Sequence, residues 1–179
     1  MNPIGIAVIK MDNRREYHRN RCFPTLIDDN CDFIITKMYE NDLKASRKES
    51  IEKLIAMGYE YIGWVDDDDE MIADIFSKLL EIFKNYPDTC IAFSEYIIRD
   101  EHKDTRRRIN SNENVVDVVN NISLVHQPVL IPSKILSKYL YVLDGHAERS
   151  LYLEIKNKET DKLIRGLSTV GYIYYNNRI

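Results

Sequence analysis

The amino-acid sequence predicts an α/β fold in which helices flank a mostly parallel central sheet. Three short runs rich in apolar residues, at residues 4–9, 32–36 and 61–65, read as strands. Between the second and third run, apolar residues recur at helical spacing from residue 43 to residue 55, and Gly58 supplies a stop signal. Strands that alternate with helices are expected of a parallel sheet, because each crossover helix covers one face of the sheet.

Length, charge and cysteine count restrict the class of protein. The chain has 179 residues, 44% of them hydrophobic, which is the size of one domain with its own core. A formal net charge of −4 excludes the global basic field that drives general nucleic-acid binding. Cys22, Cys31 and Cys90 are odd in number and lack metal-ligand spacing, so reduced thiols in a cytosol are expected. The apolar run at residues 4–9 is too short for a signal peptide or a membrane span, which predicts a cytoplasmic protein.

The rest of the chain continues the mixture of helices and strands. A helix at residues 16–26 is limited by Pro24, and a strongly amphipathic helix is predicted over residues 72–83. The charged segment at residues 99–114 lacks periodicity and is interpreted as a mobile loop that opens at little free-energy cost. Further predicted elements are a strand at residues 90–98, a short helix at 115–122, a strand at 129–131, a helix at 133–141 with Ser133 as candidate N-cap, a helix at 147–156 and a strand at 170–175.

Four aspartates and a glutamate, residues 66–70, follow the third predicted strand without a break. Neighbouring carboxylates repel one another, so the run is costly unless water solvates it fully or a cation neutralises it. A buried strand that delivers carboxylates to its C-terminal end favours the cation, since ligands of open α/β sheets bind at that edge. Carboxylate oxygens suit a hard cation such as Mn²⁺ or Mg²⁺, which in turn suits a diphosphate. The alternative is a solvated acidic loop at the N-terminus of the following helix.

Residues 44–51, which contain Arg47, lead into the strand and acidic turn at residues 61–69. This order of helix, strand and acidic motif resembles the nucleotide-sugar glycosyltransferases of the GT-A fold, especially the large inverting family 2 type. The resemblance implies a single GT-A-like, Rossmann-like domain over residues 1–179, with a nucleotide-binding half at about 1–98 and an acceptor-side half at about 115–179. It also implies a nucleotide-sugar donor, expected to be UDP-linked, and Mn²⁺ or Mg²⁺ as cofactor.

The same resemblance assigns roles to individual side chains of the donor site. It implies donor contacts at Arg14, Arg47, Asp66 and Asp67, and metal ligands at Asp68 and Asp69. Strand geometry alone leaves open which of the four aspartates holds the metal. For Arg14, which follows the first strand, a solvated loop end is the alternative interpretation.

Residues 143–153 resemble the start of the family's "G-x-x-E-D-x-x-L-x-x-R" helix, where a carboxylate deprotonates the acceptor. Glu148 matches the Glu of that motif, whereas Arg149 stands where the family has Asp. The base is therefore Glu148, Asp144 or another group. The alternative role for Glu148 is a favourable charge in the first turn of a helix. Residues 174–178 resemble a late "Y-R-x-H" strand end of the family, but they lack its His.

Two further sets of residues are candidates for contacts with the substrates. His126 and Gln127 precede a predicted strand and suit recognition of acceptor hydroxyls, with a satisfied loop end as the alternative. Trp64 and the tyrosines near the C-terminus suit stacking on a base or a sugar, although core packing is the expected role for most of them.

The combined prediction is a metal-dependent glycosyltransferase. It would move a sugar from a nucleoside-diphosphate sugar to an acceptor hydroxyl, with inversion, and the acceptor would be a glycan or a modified DNA base. Two other classes stay open. One is a nucleotide-sugar-binding protein without catalysis, and the other is a D-x-D phosphotransferase or phosphatase, whose acidic motif normally ends the first strand instead of the third.

Overall fold

A nine-stranded mixed sheet forms the centre of the computed structural model, which describes residues 2–10, 20–37, 42–100, 104–107, 113–118, 125–143 and 148–175. The strands are β1 Ile4–Lys10, β2 Cys31–Lys37, β3 Tyr61–Asp66, β4 Glu70–Met71, β5 Thr89–Arg99, β6 Asp104–Arg107, β7 Val115–Asp117, β8 Val129–Pro132 and β9 Leu163–Tyr175. The α-helices are α1 Leu43–Ala56, α2 Ile75–Asn85, α3 Ser133–Tyr139 and α4 Glu148–Lys158. Short 3₁₀ turns lie at Phe23–Thr25 and Leu140–Leu143.

The sheet order is β2-β1-β3-β8-β5-β9-β4, with β6 added beside β5 and β7 beside β9. Strand β1 runs parallel to β2 and β3, and β5 runs parallel to β9. Strand β8 is antiparallel to both of its neighbours, and β4 is antiparallel to β9. Five of the seven strands along this path therefore share one direction, which confirms the mostly parallel central sheet.

Both faces of the central strands are covered, which explains why β1 reads as a continuous apolar run. Its side chains alternate between two clusters: Ile6 and Val8 pack with helix α2, whereas Ala7 packs with the helices on the other face. Helix α2 buries one apolar side, formed by Ile75, Phe76, Leu79, Leu80, Ile82 and Phe83. Helices α1, α3 and α4 contribute to the cluster on the opposite face, so the central strands lie between two layers of helices.

Two predicted elements differ from the structure. Val115–Asp117 forms strand β7, antiparallel to β9, and not the start of a short helix; residues 119–122 of that predicted helix lie outside the described residues. Its two valines are β-branched, and β9 has an edge with which they can pair. The segment therefore forms a strand although its apolar spacing also fits a helix. The segment interpreted as a mobile loop contains the end of β5 and strand β6, which pair with each other. Arg99 and Asp104 form an ion pair across this hairpin.

Smaller differences concern the ends of elements. Pro132 occupies the N-cap position of α3, and Ser133 is the first helical residue instead of the cap. The last strand begins at Leu163, seven residues before its predicted start, because polar side chains such as Arg165 interrupt the apolar pattern. No helix in the described part of the chain is long and apolar enough to cross a membrane.

Candidate functional site

The acidic run forms a buried turn at the carboxyl end of β3. Asp66 is the last residue of that strand, and Asp67, Asp68 and Asp69 connect it to β4. Asp66 retains only 9% of its accessible surface and the next three residues at most 1%, so the run is not a solvated loop. Helix α2 starts several residues later, with Asp74 at its N-cap position, and the run does not cap it.

Carboxylate oxygens of Asp66, Asp68 and Asp69 all lie within 4.8 Å of one another. Buried carboxylates at this separation need cations or hydrogen-bond donors, since burial of an isolated charge is costly. An all-oxygen donor set of this kind suits Mg²⁺ or Mn²⁺. Within the described ranges, these three residues form a group that could hold a divalent cation, and they include the predicted ligands Asp68 and Asp69.

Strand β9 holds Asp69 from one side. The Tyr172 hydroxyl lies 2.9 Å from Asp69 Oδ2, and the Tyr175 backbone N–H donates to Asp69 Oδ1 at 2.9 Å. The same Tyr172 oxygen is 2.8 Å from Gln127 Oε1 and accepts from the Asp66 backbone N–H at 3.3 Å. Burial, together with the nearby carboxylates, raises the pKa of Tyr172 well above its ordinary value, so the hydroxyl keeps its proton and remains a donor.

Two residues that precede β2 in the chain, Arg21 and Cys22, contact the backbone of the acidic turn. Arg21 Nη2 donates to the Asp68 carbonyl oxygen at 2.7 Å, and the guanidinium lies 3.3 Å from the centre of the Tyr175 ring. The Cys22 thiol lies 3.4 Å from the Asp66 carbonyl oxygen. Burial first, and then the four aspartates, raise the pKa of this thiol far above its ordinary value, so Cys22 is a neutral thiol.

Arg47 connects the acidic turn with helix α4. This guanidinium is 4% exposed, and its Nη2 donates to Asp66 Oδ1 at 2.8 Å. Its Nη1 forms an ion pair with Glu148 Oε1. The structure thus brings together a predicted donor contact on α1, a predicted donor contact on β3 and the predicted base on α4.

A cavity of about 170 Å³ lies beside this ion pair, and we call it the acceptor cavity. It is lined by Val125, His126, Gln127, Glu148, Arg149 and Tyr152. The His126 ring stacks on Tyr96 with centroids 4.5 Å apart and meets the edge of Tyr174 at 5.6 Å. The two predicted acceptor-side residues therefore share one cavity with the predicted base.

Four further residues that the sequence analysis singled out are Gln127, Trp64, Arg14 and Asp144. Gln127 is 6% exposed and its side-chain oxygen accepts from the Asp66 backbone N–H at 3.2 Å, so it supports the acidic turn as well as lining the cavity. Trp64 is fully buried and stacks on Tyr152, which confirms core packing. Arg14 and Asp144 lie outside the described residues.

Sequence reasoning missed the support that Arg21, Cys22, Tyr172 and Tyr175 give to the turn. The tyrosines were recognisable only as aromatic residues of a terminal strand, because nothing in the pattern shows that β9 runs next to β4. Arg21 and Cys22 lie about 45 positions before the aspartates, and no local signal connects the two segments.

The sequence matches no protein family and no curated protein. Its fold is similar to that of Staphylococcus aureus TarS 1–349. Against the crystal structure of TarS with UDP-GlcNAc, the TM-score is 0.72 at 11% identity, covering 97% of this chain and 58% of that chain. Against TarS 1–349 alone, it is 0.70 at 9% identity, covering 96% of this chain and 60% of that one. Against the crystal structure of A197 from STIV, the TM-score is 0.60 at 13% identity, covering 92% of this chain and 81% of that chain.

The chain spans about 60% of the length of these TarS structures. At identities of 9–13%, the likeness concerns the fold alone. The comparisons therefore show that the chain has the GT-A-like α/β fold that its sequence predicts.

Proposed function

We propose that this protein is a glycosyltransferase that moves a sugar from a nucleoside-diphosphate sugar to an acceptor hydroxyl. The observation that carries the proposal is the buried group of Asp66, Asp68 and Asp69 at the carboxyl end of β3 in a GT-A-like sheet. This edge is where open α/β sheets bind their ligands. The crystal structure of TarS with UDP-GlcNAc supports a UDP-linked donor for this chain.

In the proposed donor site, Asp68 and Asp69 would hold Mn²⁺ or Mg²⁺, and Asp66 and Asp67 would contact the donor. The buried carboxylates fit such a hard cation, which when bound acts as a Lewis acid for the charge that develops on the leaving diphosphate. Strand β9 fixes the orientation of Asp69 through Tyr172 and Tyr175. Because hydrogen bonds from neighbouring groups orient ligands, these contacts prepare the carboxylate for the ion.

The acceptor hydroxyl would enter from the acceptor cavity and attack the anomeric carbon directly. Its oxygen forms the new bond to that carbon while the bond to the diphosphate oxygen breaks and the electron pair leaves with the nucleoside diphosphate. Glu148 takes the hydroxyl proton, for which a carboxylate oxygen must come within about 2.6–3.2 Å of the hydroxyl. A single displacement of this kind inverts the configuration at the sugar.

One observation favours a second function, which is binding of a nucleotide sugar without turnover. Glu148 forms an ion pair with Arg47, and Arg149 stands at the second acidic position of the motif. If this ion pair keeps Glu148 from acting as base, position 149 offers no second carboxylate to replace it. Donor binding without measurable transfer or hydrolysis of the nucleotide sugar would support this second function.

The experiment that tests the proposal is a thermal-shift screen of nucleoside diphosphates and nucleotide sugars, with and without Mn²⁺. A ligand that binds only the folded state raises the melting temperature by mass action. We expect stabilisation by a uridine nucleotide that depends on Mn²⁺ and is lost in Asp68→Asn. The matched control is Asp161→Asn, an exposed aspartate before β9 and thus at the opposite edge of the sheet. Equal Mn²⁺-dependent binding in wild type and Asp68→Asn would exclude Asp68 as a ligand.

A further inference from the structure

The acceptor cavity is lined by an arginine side chain to which the proposed transfer assigns no role. Arg149 lines the cavity next to Glu148, and it is an exposed residue. Within the described part of the chain, its guanidinium makes no hydrogen bond or ion pair. The side chain is therefore available to a molecule that enters the cavity.

The nearest carboxylate does not pair with the Arg149 guanidinium. Glu148 already forms an ion pair with Arg47, which is buried and also binds Asp66. Among the six residues that line the cavity, Glu148 and Arg149 are the acidic and the basic side chain. Since Glu148 is engaged by Arg47, Arg149 is the one charged side chain of this lining that makes no hydrogen bond or ion pair within the described part of the chain.

The position of Arg149 in its helix adds to this argument. Helix α4 begins at Glu148, so Arg149 lies in the first turn. A cation is unfavourable there, because the N-terminal end of a helix carries a partial positive charge. An anion bound in the cavity would interact favourably with the guanidinium and with the helix end together.

We propose that the acceptor carries an anionic group, a phosphate or a carboxylate, close to the hydroxyl that receives the sugar, and that Arg149 binds this group. The inference rests on the proposed function, since it names the class of acceptor for the same site. A guanidinium can bind either anion with two parallel hydrogen bonds, which would also fix the orientation of the acceptor. An amino acid that binds the acceptor would thus stand where the related motif has a second carboxylate.

The test compares three sugars that share a ring and differ in charge: glucose 6-phosphate, glucuronate and glucose. Each is titrated by calorimetry into protein saturated with UDP and Mn²⁺, so that the donor site cannot take up the sugar phosphate. We expect saturable binding of at least one charged sugar, at least tenfold tighter than glucose. The phosphate and carboxylate arms show which anion is preferred.

Variants of Arg149 then locate the binding. Arg149→Gln should weaken binding of the charged sugar at least tenfold and leave the affinity for glucose unchanged. Arg149→Lys should restore part of the loss, because lysine keeps the charge but cannot make the two parallel hydrogen bonds of a guanidinium. Lys158→Gln, which removes an exposed cation from the last turn of the same helix, is the matched control and should bind as wild type. Equal binding in wild type and Arg149→Gln, or no preference for the charged sugars, would overturn the inference.

The same titrations separate this inference from the proposed function. If UDP and Mn²⁺ do not bind to the wild-type protein at all, the proposed donor site is wrong. If they bind normally while the three sugars behave alike, the donor site stands and only the anionic acceptor is excluded.

Discussion

At Glu148, one carboxylate would serve both as partner of Arg47 and as base for the acceptor hydroxyl. Glu148→Gln retains the shape and an oxygen that can accept from Arg47, but it removes the proton acceptor. We expect turnover to fall by roughly 10²- to 10⁴-fold, the usual scale of general base catalysis, with donor affinity nearly unchanged. Initial rates of sugar transfer and calorimetry with UDP and Mn²⁺ measure the two quantities.

Two further variants make this result interpretable. Glu154→Gln changes another carboxylate of helix α4, one that accepts from the Tyr141 hydroxyl at the surface, and it should leave turnover as in wild type. Asp144→Asn tests the other candidate base. A large loss of rate in Asp144→Asn, with Glu148→Gln near wild type, would move the proton acceptor to Asp144. Loss of donor binding in Glu148→Gln would instead show that the ion pair with Arg47 maintains the donor site.

Among the elements, β9 contacts the acidic turn through residues that are distant from it in sequence. Tyr172 and Tyr175 of this strand contact Asp69, and the preceding Gly171 lies against the first turn of helix α2. A methyl group at Gly171 would overlap the Ile75 side chain and the Ser94 hydroxyl. A glycine is needed here because the helix and the strand approach too closely for a Cβ atom.

We therefore expect Gly171→Ala to lower the free energy of unfolding by about 1–3 kcal/mol, the usual cost of overpacking a core. It should also weaken Mn²⁺ binding, because any shift of β9 moves Tyr172 away from Asp69. Urea denaturation gives the first quantity and calorimetry the second. Thr169→Ala, at an exposed position of the same strand, should change stability by less than about 0.5 kcal/mol. Equal stability of Gly171→Ala and wild type would show that α2 can move away at no cost.

The hairpin of β5 and β6 corrects the interpretation of residues 99–114 as a loop, as far as these residues are described. Strand β6 pairs with the outer part of β5, and Arg106 forms an ion pair with Glu95, which is 3% exposed. Breaking this hairpin would leave a buried carboxylate without that guanidinium, which is costly. Residues 104–107 thus form part of the sheet, although their composition is that of a solvated loop.

For the molecule as a whole, the sequence predicted the elements that have a clear local pattern of apolar and polar residues. The runs that became β1 and β3 are continuous and apolar because both faces of these strands are buried. The acidic residues after β3 were recognisable as a candidate site because open α/β sheets bind ligands at this edge. Helix α2 was predictable from one apolar side at helical spacing. These elements place the acidic turn, and they were recognisable without any knowledge of tertiary contacts.

Features that depend on contacts distant in sequence could not be predicted in this way. The link between Arg47, Asp66 and Glu148 joins three elements spread over about 100 positions. Strand β7 forms because β9 offers it an edge, although the spacing of its valines also fits a helix. The hydrogen bonds of Tyr172 with Asp69 and Gln127 likewise appear only when β9 is placed beside β4. In each of these places the structure depends on contacts with distant parts of the chain more than on local propensity.

Ion pairs between elements also make the stability of the whole fold depend on pH. Glu159, which follows helix α4, accepts hydrogen bonds from Lys138 at 2.7 Å and from Tyr139 at 2.9 Å on α3. The hydrogen bond from Lys138 is the main reason why the pKa of Glu159 lies below its ordinary value of 4.5. Burial and the hydrogen bond to Glu159 raise the pKa of Tyr139 to about 12, so its hydroxyl remains a donor.

A carboxyl group whose pKa is lowered by folding stabilises the folded state above its unfolded pKa, and this contribution is lost as the pH falls through the folded value. Glu159→Gln carries no charge at any pH, so it should be less stable than wild type at about pH 7, and the difference should shrink from about pH 5 downwards. Urea denaturation at about pH 7, 5 and 3.5 measures it. Glu81→Gln, in an exposed pair with Lys84, should show little difference at each pH. A Glu159→Gln difference that stays constant down to the lowest pH would show that the residue acts through packing instead of charge.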